Sequence, residues 1–75
     1  MTTTPLDSSL LATAAYDLHR RLLRLEFRSR SVYLYGNVPA NVADALLTAP
    51  SKGAYFNHAI RGQFPFRRLT STRAQ

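Results

Sequence analysis

Residues 32–61 read VYLYGNVPANVADALLTAPSKGAYFNHAIR, and this stretch decides the fold. It opens with a Tyr-x-Tyr run rich in β-branched and aromatic residues, which is typical of a strand. The pattern then turns at Val38-Pro39 into an apolar repeat with helical spacing, and beyond Pro50 into a second one. The stretch therefore predicts one strand followed by two short helices.

Both predicted helices have recognisable ends. Pro39 suits the first turn of a helix, because its fixed φ and missing N–H cost nothing there. Apolar residues then recur with the spacing of one helix face, at Val42, Ala45, Leu46 and Ala49. Pro50 ends this helix. Ser51 is a good N-cap for the second helix, and Gly62 suits the position just beyond its end.

Two further strands are predicted before this stretch. Residues 22–28 alternate between apolar residues on one face and charged residues on the other, which is the pattern of a half-buried strand. Residues 10–17 form an apolar run that we interpret as a strand, although its alanines would also suit a helix. The connections at 17–21 and 29–31 are short, so the three strands should pair as an antiparallel meander.

The predicted fold is α+β: a three-stranded antiparallel β-meander followed by two short helices packed on one face (β-β-β-α-α). We predict a flexible lead over residues 1–8, a folded domain over 9–69 and a frayed basic tail over 70–75. The predicted core is formed by Leu11, Leu23, Leu25, Phe27, Val42, Leu46, Phe56 and Ile60.

Composition excludes several classes of protein. The chain has 75 residues, of which 45% are hydrophobic and 19% charged, as expected for one folded domain. It has no cysteine, which excludes disulfides, zinc knuckles and thiol chemistry and favours a cytoplasmic location. The first residues lack the pattern of a signal peptide, and no apolar run approaches the roughly 20 residues of a membrane span.

The chain is strongly basic, with a net charge of +6, and nine of its ten cations are arginine. Arginine presents a flat, bidentate fork that suits phosphates and carboxylates. Two interpretations stay open: these cations bind a polyanion or an acidic partner, or they form a solvated face that keeps the protein in solution. The candidate binding residues are Arg20, Arg21, Arg24, Arg28, Arg30, Lys52, Arg61, Arg67 and Arg68. Arg73 would extend this charge into the predicted tail.

Tyr33 and Tyr35 lie two residues apart on the predicted strand and therefore share one face. If that face is the open face of the sheet, they would form a stacking platform for bases beside the arginines, with each stacked base contributing roughly 1–3 kcal/mol. Alternatively they pack under the helices, because a small core needs the area that aromatic rings supply. Val32 and Leu34 compete with them for the core face, and alternation alone does not choose between the two pairs.

No catalytic or metal site can be assembled from the sequence. His19 and His58 are the only histidines, and neither lies at ligand spacing with a carboxylate. Ser51-Lys52-Gly53 opens a helix, where an anion would meet free N–H groups, but simple capping by Ser51 explains the same residues. We therefore predict a protein that is not an enzyme and that needs no cofactor or metal.

The chain contains, in this order, Ser8-Ser9, Tyr16-Asp17, Leu23-x-Leu25-x-Phe27, Tyr33-x-Tyr35, Val38-Pro39, Ser51-Lys52-Gly53, Tyr55-Phe56-Asn57, Ile60-Arg61 and the aromatic-Pro-aromatic run of residues 64–66. In their order and spacing these motifs resemble the KTSC domain. That module occurs at the C-terminus of some lysyl-tRNA synthetases and as a stand-alone small protein in bacteria and their phages. The chain departs from the family pattern at Arg30-Ser31, where a glycine is usual, and at Phe64 and Phe66, where tyrosine is common.

Two functions agree with these observations. The first is non-enzymatic binding of RNA or another nucleic acid through arginines and aromatic rings, which the family's link to a tRNA-handling enzyme also suggests. The second is a small protein-interaction adaptor, or a phage-type modulator, that docks on an acidic surface of host transcription or translation machinery.

Overall fold

A computed structural model describes residues 3–69, which form an α+β fold with a five-stranded antiparallel sheet and two helical segments. The strands are β1 (Thr3–Pro5), β2 (Leu11–Asp17), β3 (Leu22–Phe27), β4 (Val32–Tyr35) and β5 (Phe66–Arg68). Helix α1 spans Ala40–Thr48, and α2 spans Lys52–Tyr55 before continuing as a π-helix over Phe56–Ile60. The order of strands across the sheet is β1-β2-β3-β4-β5.

The prediction of three strands was wrong, because the sheet gains one short strand at each edge. Part of the predicted flexible lead is β1, where Thr3 pairs with Ala15 and Pro5 with Thr13 on β2. Residues 66–68, for which no strand was predicted, form β5 along β4. Both strands have three residues, which is too short for a recognisable alternation, and Pro5 is tolerated at an edge. The predicted tail at 70–75 lies outside the described residues.

The predicted ends of the second helix are confirmed, whereas Pro39 is the N-cap of α1 and lies one residue before its first turn. The Ser51 hydroxyl accepts a hydrogen bond from the Ala54 backbone N–H at 3.3 Å, as an N-cap does. Gly62 follows the second helix with φ of +76°, which glycine adopts at little cost. The π-helix was not predicted: the Arg61 N–H bonds the Phe56 carbonyl at 2.8 Å, five residues back. This wider turn lets Phe56 and Ile60 both enter the core.

Both helical segments pack on one face of the sheet, as predicted. Leu11, Leu23, Leu25, Leu46, Phe56 and Ile60 are buried, joined by Leu6, Val38 and Tyr35, while Phe27 and Val42 are partly buried. Tyr33 and Tyr35 lie opposite Leu25 and Leu23 on β3, so they share the helix-covered face. Val32 and Leu34 consequently occupy the opposite face.

The β3–β4 turn contains a strained residue at the position where this chain departs from the family pattern. Arg30 has φ of +75°, a left-handed conformation that costs a side-chain-bearing residue about 1 kcal/mol. We expect Arg30→Gly to have a free energy of unfolding about 0.5–1 kcal/mol higher than Arg30→Ala, because only glycine relieves the strain. Urea denaturation of both variants measures this, and since both lose the same charge, equal stabilities would contradict it.

Candidate functional site

An open groove with aromatic walls lies between the sheet and the second helical segment. It has a volume of about 500 Å³. Its walls are the rings of Phe27, Tyr33, Tyr35, Phe56 and Phe66, and its polar lining comes from Ser29, Ser31, Asn57 and Arg61. A cavity of this size and composition matches the general character of small-ligand sites, which are mostly apolar with a few polar groups.

The rings form a continuous series from the core to the surface. Tyr33 and Tyr35 are nearly parallel, with ring centres 6.3 Å apart. Phe66 lies 5.4 Å from Tyr33 and 5.6 Å from Tyr35. Tyr35 is 4% exposed, Tyr33 is half-buried and Phe66 is 59% exposed. The groove therefore offers aromatic surface to solvent while its inner wall is held by the core.

Strand register explains why these rings meet. Tyr33 and Tyr35 point to one face because they alternate along β4. Phe66 is paired with Tyr35 across β4 and β5, which brings its ring to the same face. On the helical side, the π-helix holds Phe56 edge-on to Tyr35 with ring centres 5.9 Å apart. The fifth strand and the π-helix thus complete the groove.

Tyr35 is a buried residue whose side chain lines the groove. Burial raises the pKa of Tyr35 above its usual value of 10.0, the neighbouring Tyr33 raises it further, and the positive charge of Arg61 acts in the opposite direction. The phenol therefore stays protonated at neutral pH. Within residues 3–69, its hydroxyl makes no hydrogen bond. By contrast, the hydroxyl of Tyr16 donates to the Val38 carbonyl.

Three of the predicted binding arginines lie around the groove. Arg61 is exposed and forms part of its lining. Arg68 lies opposite Tyr33 on β5, and its guanidinium donates to the Ser31 hydroxyl at 3.4 Å. Arg30 is exposed in the turn whose two serines, before and after it, line the groove. The structure thus brings these three cations and the two tyrosines to one region.

Other predicted binding residues lie elsewhere. Arg24 and Arg67 occupy the opposite face of the sheet, on either side of Leu34 in one row across three strands. Arg20 and Arg21 lie in the β2–β3 turn, where Arg20 approaches the Asp17 carboxylate at 4.0 Å. The predicted binding residues named so far therefore lie in three regions: around the groove, on the opposite face of the sheet and in the β2–β3 turn.

Two predicted binding cations bond to the protein backbone. Arg28 donates from Nε to the Ser8 carbonyl and from Nη2 to the Leu6 carbonyl, both at 3.0 Å. Lys52 donates from Nζ to the Ala49 carbonyl at 3.0 Å, at the end of α1. Both side chains hold chain segments together, and the capping interpretation of the helix start at Ser51 agrees with this arrangement.

The described part of the chain offers no metal centre and no membrane helix. No cluster of three or more histidine, cysteine or acidic side chains suited to a metal ion occurs between residues 3 and 69. His19 and His58 are both exposed. No helix within the same residues is long and apolar enough to cross a bilayer.

Part of the groove lining was not predicted from the sequence. Phe27 and Phe56 were assigned to the core alone, and Asn57 was not considered as a site residue. Phe66 was not among the predicted site residues either; it is 59% exposed, whereas Phe64 is partly buried and packs against the core. The aromatic-Pro-aromatic run was the available signal for Phe66. Residues two apart on an extended segment share one face, so the pattern alone does not tell which of the two rings is exposed.

Comparison with known proteins now identifies the family. The KTSC domain model matches residues 7–64, and the chain belongs to the KTSC domain family. A crystal structure of a KTSC domain protein from Yersinia pestis superposes with a TM-score of 0.89 at 32% identity, covering 92% of this chain and 97% of that one.

Its relatives differ greatly in length. The chain is 41% identical over 64 residues to a lysine–tRNA ligase of Nostoc punctiforme, an alignment covering 85% of this chain and 11% of the ligase. It therefore spans about a tenth of that relative's length. A protein of Tsukamurella paurometabola is 38% identical over 60 residues, which cover 80% of this chain and 90% of the relative.

Proposed function

We propose that this KTSC domain is a non-enzymatic RNA-binding module whose contact surface is the aromatic groove and the arginines around it. The observation that carries the proposal is the position of Arg61 in the lining of the aromatic groove. Arg68 is paired with Tyr33 on the neighbouring strand, and Arg30 lies between the two serines of the lining. Single-stranded nucleic acids are held by such a combination, in which bases stack on rings while cations follow the phosphates.

Electrostatics supports a polyanionic ligand. The chain carries a net charge of +6. Within residues 3–69 the only carboxylate within 4.0 Å of an arginine is Asp17, which lies beside Arg20. This net charge would attract phosphates, and counterion release would drive association.

The relatives favour RNA over DNA as the ligand. Several of them are lysine–tRNA ligases, named for an enzyme that acts on tRNA. A region similar to this chain thus occurs within proteins that are named for their action on tRNA. We accordingly propose that the present chain acts in the cytoplasm on RNA.

Binding to a single-stranded RNA should weaken steeply with salt. If three arginines contact phosphates, the logarithm of the association constant should fall with the logarithm of salt concentration at a slope of about −2. We expect Arg61→Gln to weaken binding by about 1 kcal/mol, roughly fivefold, and to reduce the magnitude of the slope by about 0.7. Fluorescence anisotropy with a labelled oligonucleotide measures both quantities.

Arg20→Gln is the matched control, because it removes the same charge from an arginine that already lies near Asp17 and far from the groove lining. Its affinity should stay close to that of the unaltered protein. A flat salt response, or equal losses in the Arg61→Gln and Arg20→Gln variants, would contradict the groove as the RNA contact.

A second candidate function rests on the opposite face of the sheet. Arg24, Leu34 and Arg67 form one row there, and no helix of the described residues covers it. An apolar side chain flanked by two cations suits an acidic protein surface with an apolar centre. A stoichiometric partner that survives nuclease treatment, and that the double variant Arg24→Glu and Arg67→Glu no longer binds, would favour this adaptor function.

A further inference from the structure

We infer that the aromatic groove receives a single unpaired RNA base, with the Tyr35 hydroxyl bonding the base edge and Arg61 the adjoining phosphate. This inference rests on the proposed RNA-binding function and specifies the part of the RNA that the site recognises. Four observations support it: the hydroxyl of a buried tyrosine that has no hydrogen-bond partner within residues 3–69, an exposed ring beside that tyrosine, a groove of suitable volume, and polar groups in its lining.

The hydroxyl of Tyr35 lacks a hydrogen-bond partner among the described residues. The residue is 4% exposed, and within residues 3–69 the hydroxyl has no hydrogen-bond partner. Buried polar groups in folded proteins are nearly always bonded, and each exception calls for an explanation. The partly buried Tyr16 follows the usual rule, since its hydroxyl bonds the Val38 carbonyl. A ligand that enters the groove would supply the missing partner for Tyr35, because this residue lines the groove.

The rings beside Tyr35 provide a stacking surface. Phe66 is 59% exposed and lies 5.6 Å from Tyr35 and 5.4 Å from Tyr33. A groove of about 500 Å³ accommodates a ligand the size of a nucleotide. Every base has a flat face that stacks on aromatic rings, so this surface attracts bases in general and the hydroxyl adds selectivity.

Two polar side chains of the groove lining suit the phosphate and the base edge of a nucleotide. Arg61 lines the same groove as Tyr35, and its guanidinium suits a phosphate group. Asn57 lines the same groove, and its amide offers both donors and an acceptor for a base edge. Bases in a duplex are stacked and paired, so only an unpaired base can enter such a site.

The test compares two RNAs and two phenol-to-phenyl variants by fluorescence anisotropy. One RNA is a hairpin with an unpaired loop, and the other is a fully paired duplex with the same number of phosphates. Tyr35→Phe keeps the ring and removes only the hydroxyl. Tyr55→Phe is the matched control, since Tyr55 is partly buried on α2 and does not line the groove. We expect Tyr35→Phe to weaken hairpin binding roughly three- to tenfold, while duplex binding and the control remain unchanged.

The outcomes separate the inference from the proposed function. If the hairpin and the duplex bind equally, or if Tyr35→Phe binds the hairpin like the unaltered protein, the single-base site is overturned and general RNA binding stands. If neither RNA binds at low salt, the proposed function fails as well.

A measurement on the unaltered protein keeps the inference testable if Tyr35→Phe does not fold. Nucleoside monophosphates should shift the NMR signals of the Tyr33, Tyr35 and Phe66 rings more than those of Tyr55. Shifts confined to residues outside the groove would overturn the inference.

Discussion

Leu25→Ala should leave much of the chain unfolded at room temperature. Leu25 is fully buried at the centre of β3, paired with Ala14 on one side and Tyr33 on the other. Removing most of a buried leucine side chain costs about 2–5 kcal/mol, because apolar contacts are lost and a cavity remains. A single core of this size rarely supplies more than about 3–5 kcal/mol in total, so the substitution consumes most of the folding free energy.

Urea denaturation followed by circular dichroism measures this loss. Leu18→Ala is the matched control, since Leu18 is 63% exposed in the β2–β3 turn and its truncation should change stability by less than about 0.5 kcal/mol. A Leu25→Ala variant that loses less than about 1 kcal/mol would show that β3 is not the centre of the core.

Phe66→Ala is expected to cause the largest loss of RNA affinity of any single groove substitution that leaves the fold intact. Phe66 is the most exposed ring of the groove, and stacking of a base on an aromatic side chain contributes about 1–3 kcal/mol. Binding should therefore weaken by roughly 5- to 150-fold, while the slope of affinity against salt stays unchanged, because no charge is removed. Phe66 is 59% exposed, so we expect the folded state to survive its truncation.

Phe66→Tyr is the control for this experiment, because it retains the ring and introduces the residue that is common in the family at this position. It should bind RNA like the unaltered protein in the same anisotropy assay. If Phe66→Ala keeps full affinity, or if it alters the salt slope as Arg61→Gln does, then stacking on this ring is not part of the interaction.

Signals confined to a few neighbouring residues made most of the fold predictable. Helix ends are marked by Pro39, Pro50, Ser51 and Gly62 through their own backbone and side-chain preferences. Ser51 and Gly62 take the predicted positions, and Pro39 lies one residue before the predicted first turn. The two edge strands could not be predicted in this way. Each has only three residues and owes its conformation to hydrogen bonds with β2 or β4, which depend on the assembled sheet.

The site was less predictable than the fold. Tyr33 and Tyr35 were recognised as a pair, but Val32 and Leu34 are also apolar, so only packing under the helices decided which pair faces the core. The positions of the cations depend on long flexible side chains. Arg28, for example, turns to the backbone of the β1–β2 connection, because two unpaired carbonyls are available there.

The late position of β5 in the chain affects how the groove can open. The first four strands are joined by short connections, whereas β5 reaches β4 only after both helical segments have passed. Its three residues are exposed and sit at the sheet edge, so this strand should separate from its neighbour at a lower free energy than the rest of the protein. Phe66, whose ring forms one side of the groove, should therefore separate from Tyr33 and Tyr35 during brief local openings of β5 while the core stays folded. Amide hydrogen exchange should accordingly be faster along β5 than along the central strand β3.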